Sequence, residues 1–363
     1  MVYNVIGLMS GSSLDGLDIA FVELTETGGV WTYEIRQAEC RPYSPEWVQA
    51  LKGAVDLPAR EYQLLHTDYG RYIGTQVKDF IASHGLEHKV HFISSHGHTT
   101  FHMPERHMTA QLGDGAAIAA AVGLPVISDL RAMDVALGGQ GAPIVPIGEK
   151  LLLGGYDYWL NLGGIANLSA KEGDTFRAFD VCPANRVLDA LAAALGKPYD
   201  ENGALAAGGV TDAALLQELN NQPYYAQPYP KSLANDFGTE VLLPLIGRYS
   251  LSVQGKLRTY VTHIATQVAA AAQALSTSKE GEKKLLVTGG GAFNAFMVQC
   301  ISEQLAPLGI TVLVPDGQTA AYKEALIMAL IGALRWRQQV NVLASVTGAS
   351  RDSVNGALWL GES

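Results

Sequence analysis

The chain is poor in positive charge, poor in cysteine and without an apolar run long enough to span a bilayer. Lys and Arg number 25 against 35 Asp and Glu, a formal net charge of −10. That balance argues against sequence-independent nucleic-acid binding, which needs a basic surface. It leaves an anionic substrate open, because the local field matters more than the net charge. The three cysteines, Cys40, Cys182 and Cys300, are odd in number and unpaired by spacing, which fits a reducing compartment. Met1 leads straight into a strand-like segment rather than a basic-then-apolar leader, so a cytoplasmic, soluble protein with no membrane partner is expected. Two nucleotide signatures are also missing. No G-x-x-x-x-G-K-[ST] occurs, and a dinucleotide fingerprint fails because Asn294 stands where its last glycine belongs.

Apolar residues make up 48% of the 363 positions, enough for two well-buried domains. The chain is organised around residues 3–23, YNVIGLMSGSSLDGLDIAFVE. An apolar run breaks into Ser10, Gly11, Ser12 and Ser13, then resumes, which reads as strand, turn, strand. Backbone N–H groups of such a turn can converge on phosphate, with serine hydroxyls as extra donors. An ordinary β-hairpin explains the same residues equally well. Two further turns tip the reading. YDYWLNLGGIANLS repeats strand–turn–strand around Gly163 and Gly164, and LLVTGGGAFN places Gly289, Gly290 and Gly291 between a buried-type strand and a helix. Together they describe a duplicated nucleotide clamp. The first half reads βββαβαβ, including a long amphipathic helix over 60–83, the outline of a ribonuclease-H-like domain. The second half repeats that order of elements, with a helical, partly irregular insertion near 204–249. LGGQGAPIVP, dense in Gly and Pro, is the expected inter-domain segment, dividing the chain into 1–136 and 137–363. The expected fold class is therefore α/β, two ribonuclease-H-like domains, with the tail 340–363 a candidate to pack back on the first.

Several residues could carry chemistry. Asp180, in AFDVCPAN, ends a strand just before a helix, with Pro183 expected in its first turn. It reads as a general base at the mouth of the sheet or as a helix cap. His96, His98 and His102 have an H-x-H spacing, but no further ligand completes a metal set, and the metal ligands are unknown. Arg131 follows a short buried strand, where it could hold a substrate or pair with Asp129 or Asp134. Gln140 is a cleft-side hydrogen bonder or a linker residue. Lys231 and Ser232 read as a solvated loop, and Lys323 and Glu324 as an ordinary helix start.

GLMSGSSLDGLDIA, SHGHTTFHMP, QLGDGAAIA, SDLRAMDVALGGQGAPIVP, NLGGIANLS, FDVCPAN, VTGGGAFN and KEALIMALIGAL follow one another in an order and spacing that resemble the anhydro-N-acetylmuramic acid kinases, from about Ile6 to the C-terminus. The resemblance implies the sugar kinase/hsp70/actin superfamily, two actin-like ATPase domains with ATP and sugar in a cleft between them, and a possible homodimer. It implies ATP-driven phosphorylation of the 6-oxygen of 1,6-anhydro-N-acetylmuramic acid with hydrolytic opening of the anhydro bridge. By position, Gly11, Ser12, Ser13, Leu14, Asp15, Gly16, Leu17 and Asp18 would form the ATP-phosphate segment, and Gly163 and Gly164 the second phosphate turn. Gly289, Gly290, Gly291 and Asn294 would lie against adenosine. Asp180 would be the base that activates water. Arg131, His96, Glu324 and Gln140 would line the sugar site, and Mg²⁺ would neutralise the phosphates. The chain departs from the family pattern at Ser12, His98, Val181 and Cys182. A cysteine in place of glycine beside the base is expected to narrow the sugar pocket or alter the turn. A related kinase for another anhydrosugar such as levoglucosan, or a non-catalytic ATP-binding protein, are the alternative readings.

Overall fold

The structure is a computed structural model, and it describes every residue except 12, 174, 230, 234–235, 276–280 and 362–363. Contacts divide the chain into two compact units, Met1–Gly154 with Tyr322–Ser363, and Gly155–Ala321.

The first unit opens with three long antiparallel strands, β1 (Val2–Ser10), β2 (Gly16–Thr27) and β3 (Val30–Pro42). Val5, Ile6 and Leu8 on β1 and Ile19, Ala20, Phe21 and Val22 on β2 are consecutive or near-consecutive buried residues, so these strands are covered on both faces. β4 (Phe92–Ser95) runs parallel to β1, and β7 (Val126–Ser128) parallel to β4. Between them β5 (His98–Met103) and β6 (Met108–Leu112) form a separate two-stranded hairpin, which its mixed polar pattern did not announce. The helix Ala59–Ser83 lays Tyr69, Ile73, Val77 and Phe80 on the sheet at the three- and four-residue spacing of one helical face.

The second unit repeats the pattern. β8 (Tyr158–Leu162), β9 (Ile165–Glu172) and β10 (Thr175–Pro183) are antiparallel; β11 (Lys283–Thr288) is parallel to β8, and β12 (Ile310–Leu313) to β11. Its sheet order, β10-β9-β8-β11-β12, reproduces β3-β2-β1-β4-β7 of the first unit strand for strand. The same third–second–first–fourth–fifth order, twice, is the duplication expected of two ribonuclease-H-like domains. Each unit has its own apolar core.

The chain does not divide at residue 137. The Gly/Pro segment after it is tied down inside the first unit: Gly141 N–H donates to the Asp134 carboxylate at 2.8 Å and Gln140 N–H to the Thr347 carbonyl at 2.8 Å. Its composition resembles a linker because tight turns and linkers favour the same residues. The tail also belongs to the first unit. β13 (Ala357–Trp359) extends the first sheet antiparallel to β7, and Thr347 Oγ donates to buried Asp134 at 2.7 Å. The last long helix, Gly317–Trp336, begins earlier than its apolar stripe and departs from helical geometry at Tyr322, so Lys323 and Glu324 follow an interruption rather than opening the helix.

Candidate functional site

In the first unit the proposed phosphate segment leaves the end of β1. Leu14 sits at φ 57°, a left-handed conformation uncommon for a branched side chain, and Asp15 accepts from the Ser13 hydroxyl at 2.6 Å and from Gly16 N–H at 3.1 Å. Ser12 lies outside the described residues. Leu17 is buried in the sheet, so it supports the segment from behind. Asp18 is half-buried, opposite Cys40 in the β2–β3 register. Burial pushes its carboxyl up to about 7, with the Cys40 thiol acting against the shift and the charges of Asp15 and Glu324 adding to it.

His96, Arg131 and Glu324 are gathered in the same unit. Arg131 donates through Nε to His96 Nε2 at 2.8 Å and through an Nη to the Gly141 carbonyl at 2.5 Å. Since His96 Nε2 accepts, its Nδ1 carries the proton and donates to the Gly97 carbonyl at 2.8 Å. Burial and the Arg131 charge hold His96 down to about 3, so the ring is neutral. Burial lowers Arg131 to about 10, against the attraction of Glu324 and Asp134. The hydrogen bonds of Arg131 thus go to His96 and Gly141 rather than to Asp129 or Asp134. Burial raises Glu324, opposed by Lys323 and Arg131. Lys323, next to it, makes a buried ion pair with Glu149 at 3.2 Å. The Gln140 side chain is exposed, and its backbone serves the loop that presents Gly141 to Arg131. Among the described residues no group of three or more His, Cys, Asp or Glu is preset to hold a metal.

In the second unit Gly163 and Gly164 make the β8–β9 turn. Their carbonyls accept from Asn185 N–H at 3.1 Å and Ala184 N–H at 2.8 Å, which ties the turn to the start of the helix Asn185–Ala193. The triple-glycine turn packs against the end of β8. Gly289 has φ +84°, and a Cβ there would come within 2.8 Å of Asn161 Oδ1 and the Leu162 carbonyl, so only glycine fits without strain. Gly291 lies as close to Leu162, and Gly290 faces Asn185. The two turns are therefore neighbours. Asn294 caps the helix Ala295–Leu305, its side chain accepting from Met297 N–H at 2.9 Å.

Asp180 does not cap a helix. The helix starts later, at Asn185, and Pro183 still belongs to β10. The carboxylate instead accepts from Asn167 Nδ2 at 3.0 Å and from Leu233 N–H at 2.8 Å. A bulge sets its direction. Asp180 pairs with Asn167 and Cys182 with Ala166, leaving Val181 as the extra residue. Neighbours on β9 point to opposite faces, so the bulge turns Asp180 to the half-exposed face and Cys182 to the buried one. Cys182 is fully buried in the apolar core, where burial raises its thiol. It is not among the residues with positive φ, so no glycine is needed there. Its side chain lies in the apolar core, while the Asp180 carboxylate meets Asn167 and Leu233.

Sequence reasoning missed three contributors. Asn167 was present in NLGGIANLS without a role, although its place opposite Asp180 follows once the hairpin register is counted. Tyr224 and Lys231 lie in the irregular insertion, where no periodicity marks them. Lys231 is a half-buried residue, not a solvated one, with its ammonium 4.6 Å over the Tyr224 ring.

The profile of the family described as anhydro-N-acetylmuramic acid kinase matches residues 3–361. The chain is similar to a protein of that name from Rhodopseudomonas palustris, 37% identical over 85% of this chain and 86% of the relative. One from Salinibacter ruber is 33% identical over 98% and 96%. Among solved structures, the activator of 2-hydroxyisocaproyl-CoA dehydratase from Clostridium difficile with bound ADPNP aligns over 93% of this chain and 97% of its own, at 15% identity and a TM-score of 0.45. No described helix is long and apolar enough to cross a membrane. With one profile spanning nearly every residue and relatives above 30% identity over most of their length, the chain belongs to the anhydro-N-acetylmuramic acid kinase family.

Proposed function

We propose that the chain opens the anhydro bridge of 1,6-anhydro-N-acetylmuramic acid with water and phosphorylates its 6-oxygen from ATP, in the recycling of cell-wall sugar. The observation that carries this reading is Asp180, a carboxylate fixed by Asn167 and Leu233 and free of any capping duty. Such a group takes the proton of a water that attacks the anomeric carbon. The bond from that carbon to the bridging oxygen breaks, and the bridging oxygen attacks the γ-phosphorus. Water, sugar and ATP give N-acetylmuramic acid 6-phosphate and ADP.

In this reading residues 11–18 form one phosphate-binding segment and Gly163 and Gly164 a second, and Gly289, Gly290, Gly291 and Asn294 border the adenosine. Arg131, His96 and Glu324 hold the sugar, with Gln140 contributing through its loop. A neutral His96 and a charged Arg131 suit a polyhydroxylated, carboxylate-bearing ligand. Mg²⁺ fits as cofactor. Burial chiefly raises Asp18, and the charges of Asp15 and Glu324 add to the shift, so a cation beside Asp15 and Asp18 would favour the ionised form. Mg²⁺ is commonly bound through one or two carboxylates plus the phosphates rather than by a protein cage. Asp15 and Asp18 would hold it, and it would neutralise phosphate charge. The same proposal includes a cytoplasmic location, two-copy assembly and no nucleic-acid partner, the last supported by the net charge of −10.

Asp180→Asn tests the base. It is expected to fold and bind ATP, with turnover down about 100-fold or more. Near-normal turnover would remove Asp180 from the role.

A further inference from the structure

The strand β10 is the edge of its sheet, so one side of its backbone has no partner strand. The insertion fills that side at Asp180. Asp180 N–H donates to the Lys231 carbonyl at 3.3 Å, and the Tyr224 hydroxyl donates to the Asp180 carbonyl at 2.5 Å. Leu233 N–H reaches the carboxylate itself at 2.8 Å. Both backbone groups of Asp180 and one carboxylate oxygen are thus held by Tyr224, Lys231 and Leu233, and among the described residues Asn167 of β9 holds the other oxygen.

The holding segment is itself fixed at both ends. Lys231 Nζ donates to the Tyr224 and Tyr225 carbonyls at 3.3 and 3.4 Å, and it lies over the rings of Tyr224 and Phe179 at 4.6 and 5.5 Å. All these partners are neutral, so the ammonium acts as a multi-dentate donor with cation–π support. Tyr225 reaches the helix Val253–Ala274, where its hydroxyl meets His263 Nε2 at 2.9 Å. His263 Nδ1 is 2.6 Å from the Asn220 side-chain oxygen and donates to it, so Nε2 is the acceptor for Tyr225. Burial holds His263 neutral, down to about 3. The ordered chain runs from a core helix through Tyr225 and Tyr224 to the backbone carbonyl of Asp180, and Leu233 N–H carries it to the carboxylate.

We infer that Tyr224 and Lys231 are positioning residues for the water-activating carboxylate. The insertion supplies the pairing that an inner strand would receive from a neighbour, and it sets the angle at which Asp180 meets water. This rests on the reading of Asp180 as base. A misplacement of about 1 Å in such a group costs roughly 100-fold in rate.

The test uses the full-length enzyme with ATP, Mg²⁺ and 1,6-anhydro-N-acetylmuramic acid. Tyr224→Phe removes one hydroxyl and is expected to lower kcat at least about tenfold, with KM for both substrates within about threefold. In an Asp180→Asn background the same change is expected to have no further effect, because both act on one step. Lys231→Met should behave like Tyr224→Phe, and Lys231→Arg should recover most of the loss. The Leu233 amide provides a readout independent of turnover. Its hydrogen exchange is expected to speed up at least about tenfold in Tyr224→Phe and in Lys231→Met. Unchanged kcat, an equal loss in both backgrounds, or an unmoved Leu233 exchange rate would each overturn the inference. Normal turnover by Asp180→Asn alone, with Leu233 exchange still coupled to Tyr224, would instead overturn the base and leave the clamp without a catalytic purpose.

Discussion

At the scale of single residues, the two carboxylates that matter most differ in what surrounds them. Asp180 is held by donors, whereas Asp18 is crowded by acid and kept near pH 7 chiefly by burial. An acid whose folded value lies above its unfolded one stabilises the fold fully below the unfolded value. That contribution is lost as pH rises through about 7. Asp18→Asn cannot ionise, so it should be more stable than the parent at pH 8, by about 1–2 kcal/mol once screening is allowed for, and gain nothing at pH 4. Urea midpoints at the two pH values check this, and equal differences at both would contradict it. Residue identity alone left Asp180 undecided between cap and base. What removes the cap reading is the helix start at Asn185, with the carboxylate taken up by partners on β9 and at residue 233, the latter 53 residues distant in sequence.

Among elements, the strands and long helices of both units were legible because their apolar periodicities are strong. The helix expected over 60–83 is Ala59–Ser83, and the strand expected over 156–162 is Tyr158–Leu162. Hairpin β5–β6 was not legible, since β5, HTTFHM, has no apolar–polar alternation and β6, MTAQL, alternates over only five residues. Nor was the role of the insertion, whose 3₁₀ and π turns have no simple repeat. The closest element contact is a different kind of sequence signal. A Cβ on Gly7 of β1 would come within 1.9 Å of the Ala325 carbonyl, on the helix Gly317–Trp336. Backbone cannot yield as a side chain can, so Gly7→Ala should cost about 2–3 kcal/mol or more. Gly53→Ala, where the nearest atom is 3.2 Å away, is the milder control. A smaller loss at Gly7 than at Gly53 in urea unfolding would contradict that packing. Glu149→Gln should cost about 3–5 kcal/mol, because it leaves the Lys323 charge buried, each partner being 2% exposed.

For the whole molecule, duplication was readable from the order of elements, and its sheets carry the same strand order. The dividing point was not, because 137–154 and the tail are joined to the first unit by long-range bonds such as Asp134–Thr347, which leave no local mark. Two separate cores should not melt as one two-state unit. Calorimetry is expected to give a calorimetric enthalpy well above the van't Hoff value, and equality of the two would contradict independent cores. The central claim concerns which bonds are made. Turnover in H₂¹⁸O, followed by mass spectrometry of the sugar product, reads that directly. The product should be heavier than the substrate by one phosphate and one labelled water, with the label on the anomeric carbon and none in the phosphate. An unlabelled product, still bridged, or label in the phosphate would contradict water attack at the anomeric carbon.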